Sequence, residues 1–204
     1  KLHYYDFERL LPGGSNFGDN LNLWLWDRLL PGVFDDDPST VFVGIGTILR
    51  KHEIPEADKT IVFSSGVGYG ETPKPVDTWT IYCVRGPLSA RSLGISADVA
   101  ITDGALLVRR EFRWETIEKR HPFSYMPHVW QAHYGRKSWG SVCKRLGFGF
   151  IDPCQPVERV MTGIAETEVI ITEAMHGAII ADAFRIPWIP VRTHQEILDF
   201  KWKD

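Results

Sequence analysis

Short apolar runs alternate with helical patterns along the whole chain. Apolar residues at helical spacing predict helices at 21–30, from 85 onward, and at 138–146, 157–166, 177–184 and 194–202. The strand-like runs lie at 2–5, 41–43, 61–63, 80–84, 123–129, 168–171 and 188–191. Because strands that alternate with helices build parallel sheets, we predict an α/β fold made of two Rossmann-like domains.

A charged stretch separates the two halves of this pattern. Residues 109–121 are rich in arginine and glutamate, which is typical of a surface connector or an exposed helix. We therefore predict an N-terminal Rossmann-like domain at 1–110, a connector at 111–122 and a C-terminal Rossmann-like domain at 123–204. Loops of the two domains are expected to face each other across a cleft. The sequence stops inside a predicted helix, so we expect the second domain to be incomplete.

Composition narrows the class of protein. With 44% hydrophobic and 24% charged positions among 204 residues, the chain is typical of a globular protein with a sizeable core. The net charge of −3, without a basic stripe interleaved with aromatics, argues against nucleic-acid binding. No apolar run is long enough to span a bilayer, and the first residues lack the pattern of a signal peptide. Three cysteines without metal-ligand spacing favour a reduced, cytoplasmic setting.

The strongest candidate for chemistry is the polar turn Thr-Glu-Ala-Met-His-Gly-Ala at 172–178. It lies between the strand-like run 168–171 and an apolar helical pattern that stops before Pro187. In α/β proteins, ligands bind at the carboxyl ends of strands, and the start of the next helix attracts anions. We predict that His176 acts as an acid or base, with Glu173 as an orienting or basic partner. The alternative role for His176 is a helix cap or a hydrogen bond in the core.

The strands of the first half also end in glycine-rich or charged loops. Glycine allows the backbone to approach an anion closely, so Gly44, Gly46, Gly66 and Gly68 are predicted to bind substrate. Arg85 follows an apolar strand and can bind a carboxylate or phosphate through two parallel hydrogen bonds. A surface ion pair is the alternative role for Arg85.

Polar residues near three other predicted elements complete the candidate set. Asn16, Gly18 and Asp19 precede the first long helix, where Asp19 either caps the helix or contacts substrate. His128 lies at the end of a predicted strand, at the expected cleft edge. Asn16, Gly18 and His128 are predicted to bind substrate, and Asp19 is a candidate catalytic residue. His52 lies in a charged segment and is predicted either to bind substrate or to face solvent. The histidines show no paired spacing, so no metal site is predicted.

Six loops, taken in order, resemble the polysaccharide pyruvyl transferase family. They are Asn-Phe-Gly-Asp-Asn-Leu at 16–21, Gly-Ile-Gly-Thr-Ile-Leu at 44–49, Ser-Gly-Val-Gly at 65–68, Val-Arg-Gly-Pro-Leu-Ser at 84–89, Asp-Gly-Ala-Leu-Leu at 103–107 and Glu-Ala-Met-His-Gly-Ala at 173–178. The chain looks most similar to exopolysaccharide members that make ketal-pyruvated sugars. Many relatives have Arg-Leu-His-Gly where this chain has Ala-Met-His-Gly at 174–177, so donor binding must fall to other residues.

The resemblance implies a fold like that of the GT-B glycosyltransferases. It also implies phosphoenolpyruvate as donor, a hexose of a lipid-linked oligosaccharide as acceptor, and neither metal nor cofactor. Such a protein is expected in the cytoplasm, at the inner face of the cell membrane, without entering the bilayer. Two further hypotheses remain: a GT-B-like sugar-nucleotide glycosyltransferase, and a noncatalytic module that binds an anion or nucleotide. The glycine loops match neither a dinucleotide fingerprint nor a P-loop, so they do not separate these functions.

Overall fold

The computed structural model describes residues 1–193, 197 and 199–204. Contacts between Cα atoms divide the chain into two compact units. Unit 1 comprises Lys1–Tyr5, Asn22–Gly104 and Glu196–Asp204, and unit 2 comprises Asp6–Leu21 and Ala105–Gln195. Each unit contains a four-stranded parallel sheet, which confirms the predicted α/β class.

The elements alternate between strand and helix along most of the chain. The strands are β1 (Leu2–His3), β2 (Thr40–Val43), β3 (Lys59–Ser65), β4 (Trp79–Val84), β5 (His121–Met126), β6 (Gly149–Phe150), β7 (Thr167–Thr172) and β8 (Trp188–Pro190). The α-helices are α1 (Phe7–Leu10), α2 (Phe17–Leu29), α3 (Pro87–Leu93), α4 (Val129–Leu146), α5 (Val157–Ala165), α6 (Met175–Ala183) and α7 (Asp199–Lys203). Two 3-10 helices span Ala97–Val99 and Gly104–Arg110. None of these helices, within the described part of the chain, is long and apolar enough to cross a membrane.

Unit 1 has its strands in sequential order, β1-β2-β3-β4. Val43, Val62 and Val84 lie on three neighbouring strands and are fully buried in the core. Burying a valine or leucine side chain stabilises a fold by roughly 1.5–3 kcal/mol, so these strands are held mainly by apolar contact. Helix α3 begins with Pro87, whose missing N–H is not needed in the first turn. The carboxyl end of β4 therefore leads directly into a helix start.

Unit 2 has a different strand order, β6-β5-β7-β8. The chain leaves β5 toward β6 on one side and later returns to β7 on the other side of β5. This reversal creates a topological switch point at the carboxyl ends of β5 and β7, which is where open α/β sheets bind ligands. Helix α6 packs on β7, and Ile170 on β7 and Ile180 on α6 are both fully buried.

The division into units differs from the predicted domain boundaries. Segment 6–21 belongs to unit 2 and segment 196–204 to unit 1, whereas the prediction assumed one continuous stretch for each domain. The predicted connector 111–122 lies in unit 2, because the rings of Phe112 and Trp114 stack on Phe184. Aromatic residues among the charges thus anchor this segment.

Two helices begin earlier than the sequence pattern indicated, and one falls partly outside the described residues. Helix α2 starts at Phe17 rather than 21, and α4 starts at Val129 rather than 138. One glycine, Gly135, and the aromatic residues Trp130 and Tyr134 in the first half of α4 obscured its helical period. Of the helix predicted at 194–202, residues 194–196 and 198 lie outside the described residues, and α7 covers the end of the prediction.

Candidate functional site

Glu173 is a buried carboxylate at the switch point of unit 2. It follows β7, is 1% exposed, and accepts hydrogen bonds from the hydroxyl of Tyr125 (2.9 Å) and the backbone N–H of His128 (3.4 Å). The hydroxyl of Thr193 donates to its second oxygen at 2.7 Å, and the N–H of Thr193 donates to the same atom. A buried charge is costly unless hydrogen bonds compensate it, and these four donors do so. Glu173 thereby joins the ends of β5 and β7 to the segment after β8.

Tyr125 supplies one of these donors from within β5. Burial and the neighbouring charge of Glu173 raise the pKa of the Tyr125 hydroxyl well above its ordinary value. The phenol therefore keeps its proton and remains a donor to the carboxylate. Because both oxygens of Glu173 already accept hydrogen bonds from protein groups, the contacts favour its orienting role over its role as a base.

His176 occupies the second position of α6 and is partly exposed. Thr172, at the end of β7, accepts a hydrogen bond from the N–H of Ala174 through its side-chain oxygen (3.0 Å), which fixes the turn before the helix. A Cβ added at Gly177 would lie 2.7 Å from Sδ of Met126 and 2.8 Å from Oγ1 of Thr172. Glycine at 177 thus lets the first turn of α6 approach the end of β5.

The motif at 16–21 meets the motif at 173–178 through one glycine. A Cβ added at Gly18 would lie 2.2 Å from Nδ1 of His176, so the imidazole packs directly on the backbone of the first turn of α2. The N–H of Phe17 donates to the carbonyl of Pro153 (2.8 Å), which fastens the same turn to the loop after β6. Two loops that are far apart in sequence therefore form one edge of unit 2.

Asn16, rather than Asp19, caps α2. The side-chain oxygen of Asn16 accepts a hydrogen bond from the N–H of Gly18 (3.3 Å), and its side-chain nitrogen donates to Asp19 (2.7 Å). Asp19 is the third residue of the helix, so its predicted alternative as the N-cap is wrong. Its carboxylate lies in the helix turn that contacts His176, and a contact with substrate stays a prediction.

Arg85 lies at the carboxyl end of β4 in unit 1, with its side chain 4% exposed. Its guanidinium donates to Oγ1 of Thr47 (3.0 Å), the carbonyl of Val67 (3.1 Å) and Asp204 (3.2 Å). The carboxylate of Asp103 lies 4.0 Å away. The alternative that Arg85 is a surface ion-pair partner is therefore wrong, because its guanidinium is buried between two carboxylates.

The carboxylate of Asp204 shares its site in unit 1 with Ser89. The N–H of Ser89 donates to one oxygen of Asp204 at 2.8 Å, and the Ser89 hydroxyl donates to the other. Sequence reasoning missed Ser89, Asp204, Tyr125 and Thr193 as site residues. Ser89 lies inside the motif at 84–89, and this motif was the signal that could have pointed to it. Asp204, Tyr125 and Thr193 contact residues that are far away in the sequence, so no local motif indicates them.

The glycines predicted to approach an anion also make close contacts within unit 1. A Cβ at Gly66 would lie 2.3 Å from Nη2 of Arg85, and one at Gly44 would lie 2.4 Å from Nε1 of Trp26. Gly46 has a positive φ of 129°, and its carbonyl accepts from the N–H of Gly66 at 2.9 Å. Gly68 is partly buried in the following loop. The contacts at Gly44 and Gly66 and the positive φ of Gly46 explain why glycine is needed at these three positions, and anion binding by these loops stays a prediction.

The two remaining histidine candidates lie in different settings. His128 is the residue before α4, and its backbone contact with Glu173 places it at the switch point. His52 is exposed in a turn with a φ of 67°. The structure thus gathers Asn16, Gly18, Asp19, His128, Glu173 and His176 at one edge of unit 2, while Arg85, His52 and the four predicted glycines belong to unit 1.

Comparisons with known proteins give two matches. The family model described as polysaccharide pyruvyl transferase matches residues 16–195. The succinoglycan biosynthesis protein ExoV of Rhizobium meliloti (strain 1021) is 42% identical over 192 residues. The aligned region covers 93% of this chain and 60% of that relative, so the chain spans about three-fifths of the length of the relative it matches.

Proposed function

Because the chain belongs to the polysaccharide pyruvyl transferase family, we propose that it acts in the transfer of a pyruvyl group from phosphoenolpyruvate to a hexose of an exopolysaccharide repeat unit. The product is a pyruvate ketal. The observation that carries this proposal is the contact between Gly18 and His176, which unites the motifs at 16–21 and 173–178. This contact lies at the switch point of a parallel sheet, the position where such sheets bind ligands.

The reaction needs proton transfers but no oxidation or reduction. Two sugar hydroxyls add to the central carbon of phosphoenolpyruvate, and the bond from that carbon to the phosphate oxygen breaks. The methylene carbon gains one proton and becomes a methyl group, while phosphate leaves. Of the two protons released by the hydroxyls, one balances the proton on the methyl group and the other leaves with phosphate. The enzyme therefore needs an acid for the methylene carbon, a base for a hydroxyl and donors that hold the anionic groups.

His176 is the proposed acid. It is partly exposed at a strand-to-helix turn, and the first turn of α6 presents backbone N–H groups and a partial positive charge that favour an anionic donor. A positioned acid or base contributes roughly 10²–10⁴-fold to a rate. Glu173 positions the loop that carries the imidazole, and Asp19 in the adjoining turn of α2 is the proposed base.

Arg85 is proposed to bind an anionic group of the donor. The surroundings of Arg85 support this role, because they already hold a carboxylate, that of Asp204, with two N–H groups and one hydroxyl as donors. Binding of the donor at Arg85 requires Asp204 to give up this contact. Calorimetric titration of phosphoenolpyruvate into the full-length protein and its Arg85→Lys variant tests the role, and equal donor affinities would contradict it.

The resemblance to the family supplies the rest of the proposal. We infer an arrangement of the two units like that of a GT-B glycosyltransferase and a lipid-linked oligosaccharide as acceptor. We also infer action in the cytoplasm at the inner face of the cell membrane, with neither metal nor cofactor.

The decisive experiment uses the full-length protein. It is incubated with phosphoenolpyruvate and a panel of glycosides, and release of phosphate and formation of a ketal are followed together. We expect both products in equal amounts, and only when a suitable acceptor is present. Sugar transfer from a nucleotide sugar, without phosphate release from phosphoenolpyruvate, would replace the proposal with the glycosyltransferase alternative.

A further inference from the structure

Helix α4 is strongly basic in a chain whose net charge is −3. It carries four basic and no acidic residues within its 18 residues. The basic residues are Arg136, Lys137, Lys144 and Arg145, and all four are exposed. A helix of this length extends about 27 Å, so it presents a long positive surface. The charge of α4 is thus opposite in sign to that of the whole chain.

The two faces of α4 differ in what they contact. Val129, Ala132 and Cys143 are buried and form the inner face. Trp130, Tyr134, Lys137 and Lys144 follow one another at spacings of four, three and seven residues, which places them together on another face of the helix. We call this second face, together with Arg145, the outer face of α4. It combines aromatic rings near the start of the helix with cations farther along.

The aromatic residues of the outer face pack on one another and on a buried ring, while one of them remains exposed to solvent. The ring of Phe7, 4% exposed, packs on Trp130 with centroids 5.1 Å apart. Trp130 in turn stacks on Tyr134 with centroids 6.2 Å apart and planes 14° from parallel. Tyr134 is nonetheless 79% exposed. The fold keeps apolar rings in place at the surface rather than burying them.

We propose that the outer face of α4 binds the anionic surface of a lipid bilayer. Cationic side chains are attracted to anionic headgroups, and tyrosine and tryptophan favour the boundary between headgroups and hydrocarbon, because one end of each ring system is apolar and the other is polar. The helix lies in the plane of the surface and does not span it. The proposal rests on the proposed function only for its purpose, which is to bring the enzyme to a lipid-linked acceptor.

Three of the four cations carry the proposed contact. Arg136 forms an ion pair with Asp152 at 2.6 Å, so part of its charge is compensated within unit 2. Lys137, Lys144 and Arg145 remain as the cations to be tested. Lys144 and Arg145 also lie in the last turn, where positive charge stabilises any helix, so the experiment must separate this structural effect from binding.

The test measures how the full-length protein partitions onto phosphatidylcholine vesicles with and without phosphatidylglycerol. We expect binding only to the anionic vesicles, and binding should weaken as salt concentration rises. The variant Lys137→Gln/Lys144→Gln/Arg145→Gln removes three charges and should bind on the order of 100-fold more weakly. The variant Tyr134→Ser should show a smaller loss that does not depend on salt.

A matched control removes three exposed charges from unit 1. The variant Lys59→Gln/Lys74→Gln/Arg91→Gln has the same net charge as the α4 variant and should keep nearly all of its vesicle binding. Equal losses in the two variants would overturn the proposal, since general charge would then explain the binding. So would an α4 variant that melts at lower temperature but binds vesicles normally. Equally strong binding to soluble poly-aspartate would show a general polyanion site and overturn the lipid assignment.

Failure of this proposal is distinguishable from failure of the proposed function. The vesicles contain neither phosphoenolpyruvate nor acceptor, so vesicle binding reports on α4 without any turnover. Pyruvyl transfer to a water-soluble acceptor fragment should be the same in the α4 variant and the unmodified protein, which would support the proposal. Transfer without vesicle binding would overturn the role of α4. Vesicle binding without transfer to any acceptor would support α4 and contradict the proposed function.

Discussion

The carboxyl edges of the two sheets look alike in sequence and differ in structure. Both edges carry glycine-containing loops and a charged residue directly after or near a buried strand. In unit 2 the strand order reverses between β5 and β7, and His176 remains partly exposed at that edge. In unit 1 the described strands follow in sequential order, and Arg85 is buried among Thr47, Val67 and Asp204.

This difference shows that loops of similar composition can make room for different functional groups. Gly18 makes room for the imidazole of His176, a group whose ring nitrogens can donate or accept a proton. Gly66 makes room for the guanidinium of Arg85, a group that keeps its charge and already donates to protein acceptors. Strand order and the identity of the side chain that each glycine makes room for, rather than glycine content, therefore distinguish the edge proposed to carry out proton transfer.

The largest expected effect on folding comes from Arg85→Ala in unit 1. Removing one partner from a buried ionic cluster leaves Asp103 and Asp204 without their cation, and such changes lower the free energy of unfolding by about 3–5 kcal/mol. Urea unfolding of the full-length variant measures the loss. The control is Arg91→Ala in α3, where the exposed side chain should contribute less than about 0.5 kcal/mol. Equal free energies of unfolding for the two variants would show that the ion pairs of Arg85 stabilise the fold no more than those of an exposed arginine.

The next largest effect is expected from Gly18→Ala in unit 2. The new Cβ would lie 2.2 Å from Nδ1 of His176, so the imidazole must move. A displacement of about 1 Å can lower a rate on the order of 100-fold, and we expect that loss in kcat with a small change in donor affinity. Gly140→Ala in α4 is the matched control, because its Cβ would meet only Phe150 at 3.9 Å. Full activity in the Gly18→Ala variant would contradict the proposal that the contact between Gly18 and His176 is needed for catalysis.

The smallest effect is expected from Tyr125→Phe, which removes one donor to Glu173. The free energy of unfolding should fall by roughly 1–2 kcal/mol, since three other hydrogen bonds to the carboxylate remain. The raised pKa of Tyr125 means that the unfolded state loses this proton first as pH rises. The stability advantage of tyrosine is therefore complete below about pH 10 and is lost above it. Urea unfolding measures the difference in free energy of unfolding between the unmodified protein and the Tyr125→Phe variant. A difference that stays constant from pH 8 to pH 11 would contradict the hydrogen bond from Tyr125 to Glu173.

Local pattern was sufficient to predict the class of fold and most of its elements. Strands β2 and β3 of unit 1 and the strand before His176 lie within a few residues of their predicted positions. Apolar runs of this kind are set by neighbouring residues, so the sequence carries the signal directly. The same holds for His176, because a strand, a polar turn and a helix follow one another without a gap.

Contacts between residues that are far apart in the sequence could not be predicted from local pattern. The four donors to Glu173 come from residues between 20 and 48 positions away in the chain, and the contact between Arg85 and Asp204 spans 119 positions. Burial of Arg85 likewise depends on loops from several strands. The aromatic stacking that anchors segment 111–122 follows from tertiary packing on Phe184, which no periodic pattern in the segment itself indicates.

The most direct test of the central claim is the turnover of the His176→Gln variant of the full-length enzyme. Glutamine keeps a polar side chain at this position but cannot deliver a proton as imidazole does. We predict that ketal formation from phosphoenolpyruvate falls roughly 10²–10⁴-fold across the pH range, while the melting temperature and donor affinity stay close to those of the unmodified enzyme. Near-normal turnover would contradict the claim, and a large loss of thermal stability would assign His176 to the core of unit 2 instead.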